Sequence, residues 1–99
     1  MKGAVWYKNE RRGIEQIEKI KDDYKKINIE VEREYKSTRT REIYFSNGDI
    51  WRMIPATEML KGVKVNVSYI ENEVDYDFIS YIIRPCTIAP PYHAECYYS

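Results

Sequence analysis

The sequence predicts one small α/β or α+β domain: a twisted β-sheet, made of a three-strand meander plus a fourth strand, flanked by two helices. Three observations carry this. Apolar side chains recur at spacings of three and four over residues 10–27. Short strand-like runs separated by turn signals fill 27–54. Residues 63–70 alternate cleanly between apolar and polar types. The 99 residues are 43% apolar and 32% charged, the composition of a folded chain and not of a disordered one.

Ile14, Ile17, Ile20, Tyr24 and Ile27 form one apolar stripe, so residues 10–27 are predicted helical. Glu15 with Lys19, and Asp22 with Lys26, add i,i+4 pairs with the acid first. Gly13 is a poor helix former, which sets the helix start near it. Over 27–35 the period drops to two: Ile27, Ile29, Val31 and Tyr35 alternate with Asn28, Glu30, Glu32 and Glu34, and Arg33 breaks the apolar side. Residues 36–41 are polar and basic and suit a hairpin loop. Residues 42–46 form a second strand, Asn47-Gly48 is a strong tight-turn signal, and 49–54 return as a third strand that Pro55 stops. A helical turn is expected over 57–61, closed by Gly62. Val63, Val65, Val67 and Tyr69 then face one side of a fourth strand, expected to be able to pair in parallel after its longer connection. A second helix is expected over 74–83, ended by Arg84-Pro85. Residues 86–99 read as an ordered or semi-ordered tail of the same single domain, 1–99.

Lys plus Arg number 16, as do Asp plus Glu, and the pI is near 6.6. That balance argues against a dedicated, strongly basic nucleic-acid binder. The charge is uneven along the chain, however. Residues 1–41 hold 12 basic and 8 acidic side chains, and residues 42–99 hold 4 and 8. One basic and one acidic face are compatible with this, as is a uniformly mixed surface. No apolar run is long enough to span a bilayer, and the N-terminal apolar stretch is too short for a signal peptide. The expectation is a cytoplasmic protein with no membrane partner. Tyrosine is the outlier, ten in all, with Tyr92, Tyr97 and Tyr98 in the last eight residues. Tyr suits interfaces, and equally suits strands covering a small core.

Three patterns could carry chemistry. Cys86, His93 and Cys96 are spaced as C-x6-H-x2-C, which supplies three zinc-type ligands and no evident fourth, so free thiols are the simpler expectation and no cofactor is assigned. Glu71 stands where the fourth strand ends, and Glu73, Asp75 and Asp77 follow at every second position. A carboxylate at the carboxyl end of a buried strand is a candidate Mg²⁺ ligand, whereas Asp75 and Asp77 suit the first turn of the next helix. Arg33, Lys36, Arg39 and Arg41 crowd the hairpin tip and could contact phosphates, with Tyr35, Tyr44 and Trp51 near enough in sequence to stack on bases.

One stretch resembles a known family. Phe45-Ser46-Asn47-Gly48-Asp49-Ile50, then Leu60-Lys61-Gly62, then Val65-Asn66-Val67-Ser68-Tyr69-Ile70-Glu71 is similar to the middle of the large-terminase ATPases, the phage DNA-packaging motors. The likeness covers roughly residues 42–84. In that family an F-x-N-G-S-x-I turn is followed by a basic residue and Gly, then by a strand ending in the Walker B acids. The resemblance places Glu71 at the Walker B Asp and Asn72 at the catalytic Glu, which Asn cannot replace as a base. No G-x-x-x-x-G-K-[ST] loop is present to cradle phosphates. The resemblance therefore implies either a shortened, catalytically silent relative or a piece whose missing parts come from another chain.

The expected function is thus binding and not catalysis, by a small protein of phage or mobile-element origin. It would touch a larger host or phage protein, inhibiting a host defence or DNA-processing enzyme, or serve as a packaging accessory. The alternatives are a nucleic-acid-binding accessory and a truncated Mg-nucleotide-binding relative. The expected contact residues are Arg33, Lys36, Arg39, Arg41, Trp51, Tyr92, Tyr97 and Tyr98, with Glu71 the candidate metal ligand. Exposed sheet edges in so small a domain add a homodimer to the expectations.

Overall fold

Ala4, Val5, Trp6 and Tyr7 form a strand that periodicity does not reveal, because a strand buried on both faces shows no polar alternation. In the computed structural model, which describes residues 1–57 and 63–99, this strand, β1 (Lys2–Tyr7), lies inside a six-stranded sheet. It is followed by α1 (Glu10–Lys26), β2 (Val31–Lys36), β3 (Arg41–Phe45), β4 (Ile50–Pro55) and β5 (Val67–Glu71). A continuous helical segment comes next: α2 (Tyr76–Phe78), a π-helical stretch (Ile79–Ile83) and α3 (Arg84–Cys86). The last strand is β6 (Ala94–Tyr98).

The order across the sheet is β2-β3-β4-β1-β5-β6. β2, β3 and β4 form the predicted antiparallel meander. The fourth strand of the sequence reading, β5, does run parallel, but to β1, which separates it from the meander. β6 adds a further parallel strand, so residues 86–99 carry an edge of the sheet. The fold class stands as expected, with β1 and β6 added. The helical turn expected over 57–61 falls on residues that lie almost entirely outside those described.

Each face of the sheet has its own core. Ile17 and Ile20 of α1 pack with Val5, Tyr7, Ile43, Phe45, Trp51 and Met53 on one face. Ala4, Trp6, Ile54 and Ile70 meet Ile79 and Ile83 on the other. Gly13 is not where α1 starts. Asn9 caps the helix, its side chain accepting from the Arg12 amide at 3.4 Å, and Gly13 lies within the first turns. A Cβ at Gly13 would come within 2.9 Å of the Tyr7 side chain, so the glycine is required by close packing of helix on strand. Tyr24 stacks on Phe45 at 3.9 Å and donates to Asp49 at 2.6 Å, while the Trp51 indole N–H donates to the Tyr24 hydroxyl at 3.0 Å.

Several predicted boundaries move: the strand expected over 63–70 is Val67–Glu71, and the helix expected from 74 starts at Tyr76. The strand expected from Ile27 starts at Val31, because Ile27 caps α1 and Asn28 takes a positive φ of 63°. The second helix does not stop before Pro85. It is wound as π-helix over 79–83, with the Arg84 amide bonded to the Ile79 carbonyl, and the wider turn lets the prolyl ring follow. Thr87 closes it, donating its hydroxyl to the Ile83 carbonyl at 2.6 Å. That hydroxyl also lies 2.7 Å from Ser68 Oγ, which accepts from the Trp6 indole at 3.1 Å. This buried relay ties the helical segment to β5 and β1.

Candidate functional site

β1 and α1 are joined by only Lys8 and Asn9. A strand running into a helix leaves amide N–H groups unpaired at the helix start, and together with the helix dipole they attract an anion. β5 lies beside β1 with Trp6 opposite Ile70, so the next residue, Glu71, arrives at this junction. Its Oε1 accepts from the Lys8 and Asn9 amides, both at 2.8 Å, and its Oε2 accepts from Arg12 Nη1 at 3.3 Å. The Glu71 side chain is fully buried. Arg12 also pairs with the exposed Glu73 at 3.3 Å. The Tyr98 hydroxyl donates to the Trp6 carbonyl at 2.9 Å, and burial, then the nearby Glu71 charge, push that phenol well above the usual tyrosine range.

The arrangement is an internal anion site filled by the protein's own carboxylate. In a nucleotide-binding strand–loop–helix unit, a glycine-rich loop occupies this position and turns its amides on phosphate. Here the link is too short for such a cradle, and the Lys8 and Asn9 amides point at Glu71. The site fits a divalent cation poorly. Both carboxylate oxygens are already committed to N–H donors, and the Arg12 guanidinium stands where a cation would bring like charge. Among the described residues, no cluster of three or more His, Cys, Asp and Glu side chains converges elsewhere, and Cys86 and Cys96 are free thiols. Burial raises the Cys86 thiol. Asp75 takes the cap position of α2 without a side-chain capping bond, and Asp77 lies in its first turn.

The basic residues expected to act together are divided. Arg33 lies on the sheet face that carries the helical segment, its guanidinium 4.7 Å from the Tyr44 ring centre. Arg41 turns to the α1 face, 3.5 Å from Glu18 and 3.9 Å from Glu34. Lys36 lies 3.9 Å from Glu34, whose other oxygen accepts from Lys21 at 2.8 Å. Burial works against the Lys21 charge, but its bonds to Glu34 and Glu18 outweigh it and hold that pKa above the ordinary value. Arg39 sits at the exposed hairpin tip, its carbonyl accepting from the Tyr7 hydroxyl at 2.5 Å. Trp51 and Tyr98, expected as surface anchors, are both buried: Trp51 packs under α1 and Tyr98 closes the core beside β1. Tyr92 and Tyr97 are half exposed, at 52% and 51%.

Periodicity did not single out the group around Arg84. Arg84 makes a two-pronged pair with Glu95, at 2.9 and 3.2 Å, and lies 5.5 Å from the centre of the exposed Tyr76 ring. The Tyr97 hydroxyl donates to Glu95 at 2.5 Å. The Arg84 bond, opposed by partial burial, holds the Glu95 carboxyl below the usual range. The available signal was the i,i+8 placement of Tyr76 and Arg84 on one side of a helix, which becomes legible only once β6 is known to lie beside it.

No protein-family model matches the chain, and no curated protein matches it significantly. The solved structures do give matches. The large terminase from a thermophilic bacteriophage, in crystal form 3, superposes with a TM-score of 0.66 at 10% identity. The complex of that terminase with ATP-gamma-S superposes with a TM-score of 0.63 at 11% identity. The fold resembles part of a phage large terminase. In both cases the match covers 97% of this chain and 24% of the terminase, so the chain spans about a quarter of the terminase length. At this identity the likeness is one of fold.

Proposed function

We propose that the chain is a non-catalytic binding module that works by contact with a larger protein. The observation that carries this reading is Glu71: its carboxylate occupies the amides of Lys8 and Asn9 and the Arg12 guanidinium, the donors at the strand–helix junction that would otherwise be free for a phosphate. A chain that spends its anion site on its own core retains the fold and gives up the phosphate grip on which metal-assisted phosphoryl transfer relies. The likeness to a phage terminase supports an origin in a phage or mobile element. Tyr76 and Tyr97, exposed beside the Arg84–Glu95 pair, and Tyr81, exposed on the same helical segment as Tyr76, supply the residue type enriched at protein interfaces.

Thermal unfolding with and without ATP-gamma-S and Mg²⁺ tests the reading. The expected result is no ligand-dependent rise in melting temperature. A saturable rise, or nucleotide turnover by the purified protein, overturns it. A pull-down from host lysate with the wild type and with a Tyr76→Ala, Tyr81→Ala variant addresses the contact surface. One dominant partner, lost in the variant, is expected.

A further inference from the structure

The two sheet faces are not covered to the same extent. α1 covers one face across β1, β4 and β3. Among the described residues, the helical segment covers the other only over β1, β5 and the end of β4, where Ile54 joins its core. Cross-strand register fixes what is left open. Arg33 lies opposite Tyr44, Tyr35 opposite Glu42, Glu42 opposite Arg52, and Arg52 opposite Ala4, so these side chains share the face that the helical segment covers further along. Lys2 continues the same face on β1.

This open half is both cationic and aromatic. Arg33 is exposed over the Tyr44 ring, Tyr35 is 53% exposed, and the Tyr35 and Tyr44 rings meet edge to face at 5.9 Å. Arg52 stands between two depressions. The larger, of about 350 Å³, is bordered by Tyr35 and Glu42, and the smaller, of about 150 Å³, by Lys2 and Lys64. Glu42 is held by Arg52 at 3.1 Å and accepts from the Tyr44 hydroxyl, so its charge is already partly answered. Arg33, Arg52, Lys2 and Lys64 leave the face positive.

We propose that the open face of β2–β3–β4 binds single-stranded nucleic acid, with Tyr35 stacking on bases, Tyr44 supporting Arg33 and Tyr35, and Arg33, Arg52 and Lys2 contacting phosphates. Charge complementarity selects a polyanion, and the Tyr35 ring selects one that carries exposed π faces. A duplex hides its bases from such a surface, and an acidic peptide would use the cations but leave that ring without a partner. This site lies on the other side of the sheet from the Glu71 junction's helix, α1, and is separate from the Arg84 surface. Nucleotide titration and oligonucleotide titration therefore report on different readings.

The test is fluorescence anisotropy of a short fluorescein-labelled oligothymidylate, with its duplex and polyglutamate as comparators. The single strand is expected to bind, the duplex to bind more weakly and polyglutamate to compete poorly. With three phosphate contacts, the log–log dependence of affinity on salt should have a slope of about −2. Arg33→Glu and Tyr35→Ala, both at exposed positions, are each expected to weaken binding roughly tenfold, and Glu42→Gln to tighten it about twofold. Tyr81→Ala, on the other half of the molecule, should leave it unchanged. No anisotropy change at low salt overturns the proposal. So does equal binding of the duplex, equal competition by polyglutamate, or wild-type affinity in both Arg33→Glu and Tyr35→Ala.

Discussion

On the β1–β5 side the sheet lies between α1 and the helical segment, and Ala4, Trp6, Ser68, Ile70 and Glu71 have no exposed surface. On β2 almost every side chain is exposed, and only Glu34 is partly covered. The chemistry follows the covering. In the inner half, polar groups exist only where each donor has its acceptor: Trp6 to Ser68, Ser68 to Thr87, Lys8 and Asn9 to Glu71. In the outer half, Arg52–Glu42 sits at the surface, where water competes for the same charges. An inner polar group is thus part of the fold, while an outer one is free to serve a ligand.

Substitutions should separate the two halves. The largest effect is expected from Glu71→Ala, which leaves the Lys8 and Asn9 amides without their acceptor and removes the buried partner of Arg12, which keeps Glu73. A loss of about 2–4 kcal/mol is expected from urea unfolding, the scale for leaving two partly buried donors without an acceptor. A loss under about 1 kcal/mol would mean that the junction is wet and the contrast false. Gly3→Ala comes next. The added Cβ would lie 2.5 Å from the Trp51 ring, and overpacking of this kind costs about 1–3 kcal/mol in the same measurement.

Acid should erode both halves together. Burial pushes the Asp49 carboxyl up, but bonds from Tyr24, the Met1 amino group and Asn47 outweigh it and lower its pKa; Arg84 does the same for Glu95. A carboxyl whose folded pKa is depressed adds stability that is complete above its unfolded value and is lost as pH falls through the folded one. Melting temperature should therefore hold near neutrality and decline below about pH 4. A flat profile down to about pH 2 would show that neither pairing contributes. The smallest effect is expected at Arg33→Ala, a change within about 0.5 kcal/mol, because this exposed guanidinium touches only a ring. A larger loss would place it in the inner class.

Much of the scaffold was legible. The stripe Ile14, Ile17, Ile20 and Tyr24 specified α1, and Asn47-Gly48 specified the β3–β4 turn, with Gly48 at φ 93° as that turn requires. β6 was harder to read, since Cys96 is only half-buried and the prolines before it suggest a tail. The candidate site was half legible. Glu71 stood out as a carboxylate ending a buried strand, but its partners could not be read from its neighbours. Closeness in sequence groups the basic tip residues, yet alternation along each strand sends Arg33 to one face and Arg41 to the other.

Local periodicity and turn chemistry are written within ten or twenty residues, so the sequence alone determined the fold class, the first helix and the meander. Whether a strand is covered on both faces, and whether a carboxylate meets a ligand or its own backbone, depends on segments that meet only when the chain closes. Glu71 and the Lys8 amide are 63 positions apart. Tertiary structure decided that pairing, because an anion buried away from water must be neutralised by whatever donors the packing brings to it.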